Sequence, residues 1–147
     1  TIVLKNIKNK ILDIQENMQG TETILIVDDV ALIRRLNEII ISSHGYHVLV
    51  ADSGKQALSL LAENNVDLLL TDISMPNMDG YQLADIAHRS WPSLKVLILS
   101  GYQEIRHIET NSWSDQVDYL QKPASPNELL SRIRKMLDAV KVESTNT

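Results

Sequence analysis

The chain has no cysteine. That excludes a disulfide framework, a thiol nucleophile and any cysteine-ligated zinc site. It suits the cytoplasm, the compartment expected here, where disulfides are scarce. Phenylalanine is absent too, and aromatics are only 4% of the 147 residues, so leucine, isoleucine and valine must fill the core. Basic residues are in the minority, 14 Lys and Arg against 19 Asp and Glu. The resulting net charge of -5 argues against a nucleic-acid footprint, and no direct nucleic-acid contact is expected. No apolar run approaches the ~20 residues needed to cross a bilayer, and no signal-peptide pattern occurs. This segment is therefore not expected to contact a membrane.

What is present is organised around Asp67 to Gly80. Leu68, Leu69 and Leu70 form an unbroken apolar run, as a strand covered on both faces requires. Asp72 closes that run. Pro76 fixes its own φ and biases Met75 toward extended geometry, so the chain cannot pass straight into a helix. Asp79-Gly80 is a turn signal, and Asp79 is placed to cap the next helix. Asp72 thus lies at the carboxyl end of a central strand, where open α/β sheets place their ligand chemistry.

The rest of the chain alternates strand and helix. Residues 1–22 form an N-terminal extension or linker helix, in which Leu4, Ile7, Ile11, Ile14 and Met18 repeat at heptad spacing. The repeat is short for a coiled coil; a linker helix resting on the domain or on a neighbour is the plainer reading, and a weak homodimer stays open. Ile24–Val27 is the first strand, ending in Asp28-Asp29. Ala31–Ser43 is helical with Leu32, Leu36, Ile39 and Ile40 on one face, stopped by Gly45. Tyr46–Ala51 is the second strand. Ser53 caps a helix with Ala57, Leu58 and Leu61 inward. After the Asp72 strand, a helix over 81–88 points Leu83, Ile86 and Ala87 inward. Leu94–Ser100 is the fourth strand, and residues 101–111 form a helix with a thin apolar stripe. Val117–Gln121 is a short, polar fifth strand suited to an edge, and a last helix spans 125–140. The tail, 141–147, is polar and flexible. This alternation predicts one α/β domain over 23–140, a parallel sheet with helices on both faces.

A parallel sheet brings its strand ends to one edge. Asp28 and Asp29 end strand one, Asp72 strand three and Ser100 strand four, while Lys122 follows strand five. Three adjacent carboxylates repel, and they relieve this by holding a proton or a cation. A hard divalent ion with oxygen ligands, Mg2+ above all, suits them. A carboxylate beside Mg2+, an ammonium and a hydroxyl is equipped for phosphoryl transfer, with Asp itself able to serve as nucleophile.

Four pieces in this order, Ile-Leu-Ile-Val-Asp28-Asp29, Asp72-Ile-Ser-Met-Pro-Asn-Met-Asp-Gly80, Leu-Ile-Leu-Ser100-Gly101 and Tyr119-Leu-Gln-Lys122-Pro123, resemble the receiver domain of two-component response regulators. The resemblance implies a flavodoxin-like (CheY-like) doubly wound sheet of order 2-1-3-4-5. It implies that Asp72 accepts a phosphoryl group from a histidine kinase, in cis or trans, or from a phosphotransfer protein. Asp29 and Asp72 would ligate Mg2+ directly, Asp28 mainly through water, and Ser74 through its backbone carbonyl. Ser100 and Lys122 would contact the phosphoryl oxygens. Tyr119 would act with Ser100 as the switch, altering the face made by the 101–111 helix, strand five and the last helix. The only catalysis implied is of the chain's own phosphorylation and autodephosphorylation.

Taken singly, these residues read as well as a solvated strand end, a helix cap or a surface charge. Tyr119 reads equally as a half-exposed strand aromatic. The sequence departs from the family at Val30, where a polar residue is usual, and at Ala124, where Phe is common. The start at Thr1 and the extension suggest the terminal receiver of a hybrid sensor kinase, with a stand-alone receiver the other option. Two rival functions follow from the same residues. One is an Mg2+-dependent phosphatase with an Asp nucleophile, disfavoured by Ser74 where a second acid is expected. The other is a receiver-like binding module that is never phosphorylated, disfavoured by the intact acidic set.

Overall fold

In a computed structural model of the protein, residues 2–101 and 115–139 are described, residues 11–17 by their backbone alone. The helix expected over 101–111 and the tail lie outside the described residues. Five strands, β1 (Thr23–Val27), β2 (His47–Ala51), β3 (Leu68–Asp72), β4 (Lys95–Ser100) and β5 (Val117–Gln121), form one sheet. Its order is β2-β1-β3-β4-β5 with every neighbour parallel, the doubly wound order that the resemblance implied. β3 is buried at all five positions, which is why its sequence is a continuous apolar run rather than an alternating one. β2 and β5 are both edges and are correspondingly less buried.

Strand alternation builds two cores. Leu25, Val27, Leu69, Val96 and Ile98 face one side, covered by α3 (Gly54–Glu63) and α4 (Gly80–Ser90). Ile24, Ile26, Leu68, Leu70, Leu97 and Leu99 face the other, covered by α2 (Ala31–Ser42) and α5 (Pro126–Asp138). Caps set the helix starts. Ser53 accepts from the Gln56 amide at 3.2 Å and Ser125 from the Glu128 amide at 3.1 Å. Asp79 forms a full capping box with Gln82, the two bonds measuring 2.7 and 3.0 Å.

Two helix faces differ from the sequence expectation. Ile86 is exposed, and α4 buries Leu83, Ala84 and Ala87 instead. On α2 the buried residue is Ile41, while Leu32, Leu36 and Ile39 are 68, 47 and 49% exposed. α2 has apolar residues on more than one face, and the sheet can take only one of them. Each Leu or Ile left outside forgoes about 1.5–3 kcal/mol of burial.

α1 (Ile2–Asn17) precedes the domain. Its link to β1 is strapped to α5 by Arg134, whose side chain is only 15% exposed. The Arg134 guanidinium donates to the Glu22 carboxylate at 2.6 and 3.0 Å, to the Gln19 carbonyl at 3.1 Å and to the Tyr46 hydroxyl at 3.2 Å. It also pairs with Asp138 at 2.7 Å. Its hydrogen bonds hold the Glu22 carboxyl down at about 2 despite partial burial.

Candidate functional site

The carboxyl ends of β1, β3 and β4 meet as the sequence predicted. Asp72 is the last residue of β3 and pairs in register with Leu99, so Ser100 stands one step further along the neighbouring strand. Asp28 and Asp29 follow β1 directly. One carboxylate oxygen from each of Asp28, Asp29 and Asp72 lies within 4.8 Å of the others. Asp28 and Asp72 are buried, 3 and 7% exposed, whereas Asp29 is exposed. Lys122 Nζ approaches Asp72 Oδ1 to 2.7 Å, forming an ion pair. Lys122 is placed by its own amide, which donates to the Ser100 carbonyl at 2.8 Å, and the Lys122–Pro123 peptide is cis.

Burial raises the Asp28 carboxyl above its ordinary range, and the nearby Asp72 and Asp29 charges push the same way. The Val30 amide opposes this by donating to Asp28 Oδ1 at 2.9 Å. Arg34 fixes the other end of that turn through the Asp28 carbonyl at 2.8 Å.

Ser100 Oγ is buried without a hydrogen bond, whereas Asp72 Oδ1, also buried, is paired with the Lys122 ammonium. Ser100 is fully buried. Orphaned buried oxygens are costly and rare in native proteins. The three converging carboxylates fit a hard cation, and the unpartnered Ser100 hydroxyl beside them fits an oxyanion group to which it would donate. Ser74 lies exposed on the loop two residues beyond Asp72.

Tyr119 is half-buried on β5, against the same core as α4. Burial, then the Tyr81 and Asp118 charges, push its phenol up to about 12. Tyr81, on the first turn of α4, is a neighbour that sequence reasoning missed. Gly80 was also misjudged. It reads as a turn residue, but the left-handed residue of this loop is Asn77, with φ 68°. Gly80 is required because α4 starts against the end of β3: a Cβ there would run into the Asp72 carbonyl oxygen and sit 2.9 Å from Ile73 Cα. Its amide donates to the Ile73 carbonyl at 2.9 Å, closing the loop under Asp72.

The exposed apolar stripe of α2 adjoins this edge. Val30 and Ile33 belong to it, 48 and 42% exposed. Ile33 also lines a hollow of about 400 Å³ shared with Leu99, Lys122, Pro123, Ala124 and Leu129. The small side chain at position 124 keeps that hollow open.

The chain is 36% identical over 131 residues to a probable transcriptional regulator ycf27 of Guillardia theta, covering 89% of this chain and 50% of that protein. It is 30% identical over 133 residues to the sensor kinase CckA of Brucella abortus, covering 89% of this chain but 14% of the kinase. The chain thus spans half or less of the length of these relatives. Among solved structures, a response regulator receiver domain protein of Clostridium thermocellum superposes with a TM-score of 0.73 at 25% identity, covering 79% of this chain and 94% of that one. The response regulator TrrA of Thermotoga maritima, solved in complex with Mg(2+)-BeF, gives 0.69 at 29% identity, covering 79% and 99%. The family model for the response regulator receiver domain matches residues 24–134. A parallel sheet with that order, an acidic strand edge and a match over most of the chain lead to one assignment: this protein belongs to the response regulator receiver domain family.

Proposed function

We propose that this chain is a phosphoacceptor module of a two-component phosphorelay, and that Asp72 carries the phosphoryl group. The observation behind this is the buried Asp72 carboxylate between two further acids and Lys122. In the transfer, a carboxylate oxygen of Asp72 attacks the phosphorus of a donor phosphohistidine. The P–N bond breaks, and its electron pair returns to the imidazole nitrogen. Lys122 and the Ser100 hydroxyl meet the phosphoryl oxygens and stabilise the charge they carry. Water later cleaves the acyl phosphate, returning phosphate and the free carboxylate. Asp29 and Asp72 would hold Mg2+ directly, with Asp28 through water and the Ser74 carbonyl completing the set. The ion supplies charge neutralisation between the carboxylates and the incoming phosphoryl group. On this reading the chain catalyses no reaction but its own phosphorylation and dephosphorylation.

The donor needs a surface beside Asp72. Leu32, Ile33 and Leu36 of α2, with the adjoining hollow at Ala124, supply an apolar one of the kind that marks protein contacts. A histidine kinase or phosphotransfer protein docked there would bring its imidazole to the strand edge. We place the exchange in the cytoplasm, and no described helix is long and apolar enough to cross a membrane. Ser100 drawn toward the phosphoryl group would let Tyr119 move inward, shifting the population of the β5–α5 face and the 101–111 segment. The kinase relative in Brucella abortus makes the terminal receiver of a hybrid kinase one natural setting.

The test is uptake from acetyl phosphate, followed by intact mass. One phosphoryl group is expected per chain with Mg2+ and none with EDTA. Uptake that ignores Mg2+, or no uptake at all, would sink the proposal.

A further inference from the structure

We propose that α1 carries a separate interaction surface whose partner is another copy of this chain, the copies joining as a parallel helical bundle. The apolar side chains at the start of α1 are uncovered: Ile2, Leu4 and Ile7 are 79, 62 and 49% exposed. The domain therefore does not shelter Leu4 and Ile7, the first two positions of the repeat that the sequence continues at Ile11 and Ile14. Met18, the next heptad position, packs instead against the α5 side of its own domain. The Arg134 strap holds the link that follows, and Gly20 packs closely against the Tyr46 ring and the Arg134 guanidinium. The seam thus leaves the domain from an anchored point.

The spacing selects the occupant. Alternating steps of three and four residues make a narrow stripe of period 3.5, which only a second helix with the same repeat matches along its length. Another copy of this chain presents that repeat by identity. Charge selects the direction. Parallel pairing sets positions 8 and 10, both Lys, across from Val3 and Gln15 of the neighbouring copy. Antiparallel pairing centred on the same four positions sets Lys8 against Lys8 and Lys10 against Lys10. The shifted antiparallel register needs Met18, which its own domain holds. Seam composition selects the number: Leu at one core position with Ile at the other, then Ile at both, favours three or four strands over two. Two heptads give a marginal helix alone, so the assembly forms only at high concentration.

Sedimentation equilibrium on the full chain over a wide concentration range tests this. The mass should climb from 16.6 kDa toward three or four copies. Leu4→Asp with Ile7→Asp should hold it at one copy without changing the melting curve of the receiver domain. Because the chain has no cysteine, Leu4→Cys reports direction: parallel copies form a disulfide at that position on mild oxidation. A single copy at every concentration overturns the proposal. So does a mass that stops at two, association that survives the double Asp variant but is lost in Leu36→Asp, or no disulfide from Leu4→Cys.

Discussion

Asp72→Asn will abolish phosphoryl uptake while leaving the melting temperature, in metal-free buffer, near its wild-type value. The first half follows from chemistry. The amide keeps the shape of the carboxylate but has no anionic oxygen to attack phosphorus. Neither neighbouring acid takes its place, since Asp28 is turned into its own loop by the Val30 amide and Asp29 is exposed. The second half follows from the balance of charges. With oxygens within 4.8 Å, the Asp28–Asp72 repulsion is about 3–4 kcal/mol at an effective dielectric of ~20. Asp29 adds less, because water screens it. Against this stands the Lys122–Asp72 attraction, about 6 kcal/mol at 2.7 Å by the same measure. Lys122 is 42% exposed, so it recovers much of that in solvent when Asp72 is neutral. Once that solvation is allowed for, the repulsions and the attraction roughly cancel. An Asp kept only for packing would behave oppositely, since its loss would destabilise without touching acetyl phosphate uptake. Intact mass and a thermal melt on the same sample decide the matter, and a labelled Asn variant would remove Asp72 from its role.

The reactive edge was legible in the sequence because a parallel sheet turns linear position into spatial position. Asp28, Asp29, Asp72 and Ser100 each close an apolar strand and Lys122 follows the polar fifth one, and parallel pairing brings those ends to one side. Burial of β3 was legible for a related reason, since three consecutive leucines cannot all face one core. Helix faces were less readable. In α2, Leu32, Ile33, Leu36, Ile39, Ile40 and Ile41 cover two faces, and periodicity cannot say which the sheet takes. The answer depends on where α2 lies against β1 and β2, which is tertiary information. The surplus face stays exposed, and it is the one the proposed donor would use. Tyr81 escaped notice similarly. It reads as an ordinary first-turn residue, and its relation to Tyr119 exists only once β5 and α4 share a core.

Gly80 shows the limit most clearly and carries the second large effect. In sequence it completes an Asp-Gly turn signal, and a left-handed backbone is the usual reason for glycine there. In the structure that conformation belongs to Asn77, and Gly80 is the first residue of α4. Alanine would normally suit a helix start, gaining up to about 1 kcal/mol over glycine. Here its Cβ would collide with the Asp72 carbonyl and lie 2.9 Å from Ile73 Cα and 3.0 Å from the Asp72 carbonyl carbon. These are backbone atoms of a buried central strand, which cannot rotate aside as a side chain would. Relief requires α4 to lift from β3, loosening the Gly80–Ile73 hydrogen bond and displacing Asp72. Overpacking of this kind costs about 1–3 kcal/mol, and the backbone location argues for the upper end, so Gly80→Ala should lose about 2 kcal/mol net. A displacement of about 1 Å at the nucleophile should also slow phosphoryl uptake roughly 100-fold. Asn77→Gly is the matched control, a left-handed position where glycine is unstrained and both properties should stay near wild type. Urea midpoints and initial rates of acetyl phosphate uptake measure the two effects on each variant. A Gly80→Ala protein as stable and as fast as wild type would show that the close approach of α4 to Asp72 does not position the nucleophile.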